Sequence, residues 1–175
     1  NDEKNPFNPY AKTKLDDELL AKKYSEMGAK IIGLRYFNVF GFRQSKEYAG
    51  VIKLFLEKIS KNESPKINGD GLQTRDFVHV SDVVNANILS MKSKIDDEFF
   101  NVGTNFAVSV LDLANMIIEA SKMDVKPIHG PELQGDVNAT LADISKIQEK
   151  LGWNYTITIQ EWLKNVISSG KINEI

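Results

Sequence analysis

The chain has 175 residues, 42% of them hydrophobic and 26% charged, the composition of one globular domain with a core. A formal net charge of −2 and the absence of cysteine argue against a basic nucleic-acid footprint and exclude disulfides, thiolate metal sites and cysteine nucleophiles. No apolar stretch reaches the length of a membrane span, so a cytoplasmic protein without nucleic-acid or membrane partners is expected.

The chain opens in a polar, proline-bearing loop without an initiator methionine and reads as a portion of a longer protein. After Asn8-Pro9, apolar residues at Ala11, Leu15 and Leu19 recur at helical spacing, and Gly28 ends that helix. Residues 30–37 read as a buried strand, and 38–48 as a loop. A helix is expected over 49–61, a short strand at 65–69, a turn at 70–74 and a strand at 75–80. The next helix covers 81–93, with Ser81 or Asp82 as its cap. A strand follows at 97–103, then a helix at 109–122 whose Ser109 and Asp112 are spaced for capping. A short strand at 126–130 precedes two last helices, 143–152 and 158–167, the second opened by Thr158 and Glu161. Strands alternate with helices, so the class is α/β or α+β.

Tyr10 and Lys14 are four residues apart, on one face of the first helix. A lysine cation one turn from a phenol favours the phenolate, which makes the pair a tuned acid/base device. An ordinary helix face carries the same spacing. Arg75 follows the Gly69-Asp70-Gly71 turn; it is either a surface arginine or a bidentate clamp on phosphate. Asn38 ends the buried strand at 30–37, where open α/β sheets gather ligands, and also suits a turn. His79 reads as structural, Trp153 and Trp162 as core, and residues 96–98 as a solvated charge run. No histidine pair or carboxylate cluster has metal-ligand spacing.

Taken in order, "NPYAKTK", "LRYFNVFG", "RQSKEYAGVIKLF", "PKINGDGLQTRDFVHVSDVV", "FFNVG" and "QGDVNATLADISKIQEKLGW" span nearly the whole chain. Together they resemble the extended short-chain dehydrogenase/reductase family, in particular its NAD-dependent UDP-glucose and UDP-N-acetylglucosamine 4-epimerases. The resemblance implies a role for each position. Tyr10 is then the acid/base on the sugar 4-hydroxyl, and Lys14 binds the nicotinamide ribose, with Phe37 beside the ring. Asn38 and Arg75 hold the diphosphate, and Gly50 and Val51 line the nucleotide. Lys66, Ile67 and Asn68 hold the uracil edge, and Asp136 the ribose. Thr140 stands where a small residue leaves room for an N-acetyl group.

The sequence departs from the family in two places. The family's second phosphate-clamping arginine is replaced by Leu133, with Arg43 as the candidate substitute. Nothing matches Gly-x-x-Gly-x-x-Gly, the loop that holds the NAD pyrophosphate. The expectation is therefore a C-terminal portion lacking the NAD-binding half. Its fold would be the second part of a Rossmann-like doubly wound sheet plus a small α/β substrate-binding lobe. Residues 1–42 would belong to the Rossmann-like part and 43–175 mainly to the lobe, with about 76–106 returning to the sheet. The function implied is a nucleotide-sugar 4-epimerase on a UDP-hexose with NAD, homodimeric through the first helix. The isolated chain is expected to be inactive. A 4,6-dehydratase or decarboxylase of the same family, and a non-catalytic nucleotide-sugar-binding module, are the alternative readings.

Overall fold

The computed structural model describes residues 4–6, 8–44, 50–135 and 137–175, with residue 173 described by its backbone. Helix α1 (Pro9–Glu26) leads into β1 (Ile32–Tyr36) and, one residue later, β2 (Asn38–Phe40). Then come α2 (Val51–Ser60), β3 (Lys66–Asn68), β4 (Thr74–His79), α3 (Val80–Lys92), β5 (Glu98–Val102) and β6 (Ala107–Ser109). The chain continues with α4 (Val110–Ser121), β7 (Ile128–Gly130), α5 (Ser145–Leu151), α6 (Ile159–Ser168) and a 3-10 turn, Lys171–Glu174. No helix among the described residues is long and apolar enough to cross a membrane.

Each of the three sheets contains a parallel pair. Strand β1 lies beside β5 with Ile32 opposite Glu98, β2 beside β4 with Asn38 opposite Phe77, and β3 beside β7 with Lys66 opposite Ile128. Strand β6 adds an antiparallel edge to β4, with Thr74 opposite Ser109. Parallel pairing needs crossovers, and the helices between the strands supply them. The Phe37 amide between β1 and β2 donates to the Val102 carbonyl at 3.0 Å, which carries the ladder on from one strand to the next.

Two apolar cores flank this framework. One gathers Phe40, Phe55, Leu56, Ile67, Leu113 and Trp162 under α2, α4 and α6. The other gathers Phe100, Val102, Ile147 and Trp153 between β5, α3 and α5. Strand alternation links them, because Phe77 and Val78 are neighbours on β4 and enter opposite cores. This corrects the expected fold class. The chain is not the second part of a sheet with a separate small lobe; it forms a single Rossmann-like α/β fold whose sheet faces serve both cores.

Local differences from the sequence reading have clear causes. Strands β2 and β6 are only three residues long, too short to show a period, and the first falls in the expected loop. Helix α3 starts at Val80 and is capped by His79, whose Nδ1 accepts from the Ser81 amide at 3.2 Å. Asp82, an expected cap, is buried instead; it accepts from Thr156 Oγ1 at 2.7 Å and the Ile157 amide at 3.2 Å. His129 lies in β7, inside the short strand expected at 126–130. Glu98 is no free solvated charge, because Lys146 and Lys150 both pair with it and hold its carboxyl below the usual range. Ser109 and Thr158 cap α4 and α6 as their spacing suggests.

Candidate active site

The first part of the site is built on α1. Asn8 caps the helix by accepting from the Ala11 amide at 2.8 Å, with Pro9 in the first turn, where its missing N–H costs nothing. That start puts Tyr10 and Lys14 one turn apart, with Lys14 Nζ 5.8 Å from the Tyr10 ring centroid. Lys14 also donates to Asp17 Oδ2 at 2.8 Å; this hydrogen bond, then the aspartate's charge, raises the lysine pKa. Tyr10 is 72% exposed, so its hydroxyl is open to a ligand.

No residue of α1 is buried, so something other than a core must hold it. Glu18 does so, accepting from Arg35 Nε at 2.5 Å and Nη2 at 2.8 Å in the bidentate geometry that suits guanidinium and carboxylate. Lys4 adds a third contact to the same carboxylate at 2.5 Å. The Arg35 hydrogen bond outweighs desolvation and, with Lys4, takes the Glu18 pKa down to about 2. Beside this anchor runs a cleft of about 790 Å³, lined among others by Lys14, Leu15, Phe37, Asn101 and Lys146. Lys14 and Phe37, assigned to the cofactor by resemblance, therefore share one cavity.

A second cavity, of about 470 Å³, opens where β2, β3 and β4 meet the start of α2. It brings together Asn38, Gly50, Val51, Lys66, Asn68 and Arg75, six of the residues assigned to the substrate. Gly50 is the N-cap of α2 and has no side chain to cap the first-turn amides, which start beside the cavity. Arg75 Nη1 donates to the Thr74 carbonyl at 2.7 Å, which fixes part of its guanidinium.

Behind this cavity stands Asp76, fully buried. One carboxylate oxygen accepts from the Thr104 amide at 2.8 Å and the Thr104 hydroxyl at 2.7 Å. The other accepts from the amides of Asn105 at 3.0 Å and Ala142 at 3.1 Å. The backbone of Asp76 reaches the site itself. Its carbonyl accepts from Asn38 Nδ2 at 3.1 Å, and its amide donates to Thr140 Oγ1 at 3.3 Å. Asn38 Nδ2 lies 3.4 Å from Thr140 Oγ1, so the two are held side by side, although Thr140 is not among the residues lining the second cavity.

Of the three other candidates, two are described and lie elsewhere. Ile67 is completely buried in the core, so only its backbone can face a ligand. Arg43 has a left-handed backbone, φ 63°, its amide donates to the Glu174 carbonyl, and it is not among the residues lining the second cavity. Asp136 lies outside the described residues. Sequence reasoning missed Gln44, Gln73 and Val110, which line the second cavity, and Asp76 behind it. Gln73 and Asp76 flank Arg75 closely enough that the motif pointed near them, but burial is visible only in the fold.

Comparison with known proteins adds the following. The family model described as "NAD dependent epimerase/dehydratase family" matches residues 1–103. The chain is similar to the UDP-glucose 4-epimerase of Thermotoga maritima, solved with UDP-glucose, at 36% identity and a TM-score of 0.90, covering 97% of this chain and 55% of that one. It is similar to the UDP-N-acetylglucosamine 4-epimerase of Methanobrevibacter ruminantium, solved with UDP-N-acetylmuramic acid, at 35% identity and a TM-score of 0.88, covering 97% and 55%. It is similar to the UDP-glucuronic acid 4-epimerase of Bacillus cereus, solved with UDP-glucuronic acid and NAD, at 29% identity and a TM-score of 0.84, covering 94% and 54%. The chain spans about half the length of the curated relatives it matches.

These matches correct one expectation. The chain was read as a C-terminal portion lacking the NAD-binding half. The match to the family model described as NAD dependent instead takes in residues 1–103, through α1 and the β1–β5 and β2–β4 parallel pairs. More than half of the chain therefore lies within the family match.

Proposed function

We propose, since this chain belongs to the NAD-dependent epimerase/dehydratase family, that it acts as a nucleotide-sugar 4-epimerase, inverting C4 of a UDP-hexose through a 4-keto intermediate. The observation that carries the reading is the second cavity, which collects Asn38, Gly50, Val51, Lys66, Asn68 and Arg75 from four separate elements. A chance set of surface residues has no reason to converge in this way.

The Lys14–Phe37 cleft has a cationic donor beside an aromatic wall, a combination that fits the nicotinamide ribose end of NAD. NAD, when bound there, supplies reversible hydride acceptance from the sugar carbon. Tyr10 takes the proton of the 4-hydroxyl and later returns it. Lys14, one turn away, holds its ammonium 5.8 Å from the Tyr10 ring centroid. Asn38 and Arg75 orient the diphosphate and hold the sugar in register, while the hexose turns its other face. Thr140, small and held by the Asp76 amide, leaves space for a substituent at the sugar's C2.

The test is direct. UDP-glucose and UDP are titrated into the wild-type protein by calorimetry, and UDP-glucose is incubated with NAD to look for UDP-galactose. Arg75→Ala is expected to weaken UDP about 10- to 100-fold through loss of a charge-assisted contact. Tyr10→Phe is expected to leave UDP binding intact and to lower turnover by about 100-fold or more. If wild type does not bind UDP or UDP-glucose, the reading fails.

A further inference from the structure

Within that functional reading, we propose that Lys66 is the second diphosphate clamp, in the role of the cation missing at Leu133. Leu133 and Lys66 line the same cavity as Arg75, so the leucine and the lysine share a neighbourhood with the phosphate-binding arginine. Arg43, the alternative from sequence, is not in that lining.

The lysine's position is built by a glycine. Strands β3 and β7 run parallel, with Asn68 opposite Gly130. Lys66 leans along its own strand toward that glycine. A Cβ added at Gly130 would lie 2.8 Å from Lys66 Cε and 3.6 Å from Nζ. The missing Cβ thus leaves the space through which the stem passes. Gly130 has no positive φ that would itself require glycine, so room for the lysine is the role left to it.

The electrostatics agree with a dianionic ligand. Among the described residues lining the cavity, Lys66 and Arg75 are the two cations and none is a carboxylate. The uncapped first turn of α2 adds partial positive charge from the same side. Asp70 and Glu132 line the adjoining hollow of about 420 Å³, which shares Asn68, Gln73 and Leu133 with the cavity. Their charge repels phosphate from that hollow and confines it to the Lys66–Arg75 side. Lys66 therefore reads phosphate, and the uracil edge is left to Asn68 and backbone.

Titrating uridine, UMP and UDP into wild type, Lys66→Gln and Gly130→Ala separates these roles. Lys66→Gln is expected to weaken UDP about 10- to 100-fold and to leave uridine within twofold. In Gly130→Ala the close approach is to the far end of a flexible side chain, and the Ile67 carbonyl at 3.6 Å is an ordinary contact, so the protein folds around it, and UDP binding falls while residue 66 is still lysine. Leu133→Arg, added to Lys66→Gln, is expected to recover most of the lost UDP affinity. Equal weakening of uridine and UDP by Lys66→Gln, or no effect on UDP, overturns the proposal. Failed recovery by Leu133→Arg counts against it as well. Failure of wild type to bind UDP overturns the functional reading itself and is seen before any variant is made.

Discussion

Asp76 has the strongest claim to a structural role at the level of single residues. Its two carboxylate oxygens, fully buried, satisfy four donors from two separate segments, residues 104–105 and 142. In Asp76→Asn one oxygen becomes an NH2 group that faces donors. Two N–H or O–H groups are then left unsatisfied in a buried site. The expected cost is about 2–4 kcal/mol, which lowers the melting temperature by roughly 5–15 °C in thermal unfolding. The same change loosens the Asp76 backbone that holds Asn38 and Thr140. Tyr10, Lys14, Asn38, Lys66 and Arg75 could be singled out because their types and order form a pattern. Asp76 could not, because its importance rests on Thr104, Asn105 and Ala142, which are distant in sequence. Ile67 went the other way: strand alternation turns it into the core between two residues that face the cavity.

Among the elements, α1 depends most on one contact. It buries nothing, so the Glu18–Arg35 pair carries much of its attachment. The Glu18 pKa is lowered, to about 2 from 4.5, so the pair stabilises fully above about pH 4.5. That contribution fades as pH falls from about 4.5 through 2, where the folded carboxylate takes up its proton. Solvent in the cleft screens the pair to about 1 kcal/mol. Glu18→Gln is expected to speed amide exchange across Pro9–Glu26 at neutral pH. The gap between wild type and variant should close as pH drops through that window; an unchanged gap would refute the assignment. Helix limits were largely legible because Asn8, Ser109, Thr158 and Gly152 carry capping chemistry in their own side chains or backbone. His79 as a cap was not legible, because imidazole takes that position only where the fold buries it. Burial also pushes the His79 pKa down, which favours the neutral ring that accepts from Ser81.

Across the whole molecule, α1 and its C-cap residue also present Leu20, Tyr24 and Met27 to solvent, at helical spacing on one side. Two copies packed along this stripe would cover surface that a single copy leaves wet. Light scattering is expected to give a dimer, and Leu20→Asp a monomer with unchanged helix content; a wild-type monomer at all concentrations would contradict the homodimer reading. Alternation of strands and helices made the α/β class legible at this scale. The order of the strands was not, because β1 pairs with β5 and β3 with β7 across more than fifty residues, and no local pattern encodes that distance.

Strand β4 has a thermodynamic consequence. Its adjacent residues Phe77 and Val78 are built into opposite cores, so neither core can melt while the other keeps its wall. The two halves share one cooperative transition. A ligand held against Phe77 in the second cavity would therefore raise the unfolding free energy felt at Trp153, on the other side of the sheet, although it touches nothing there.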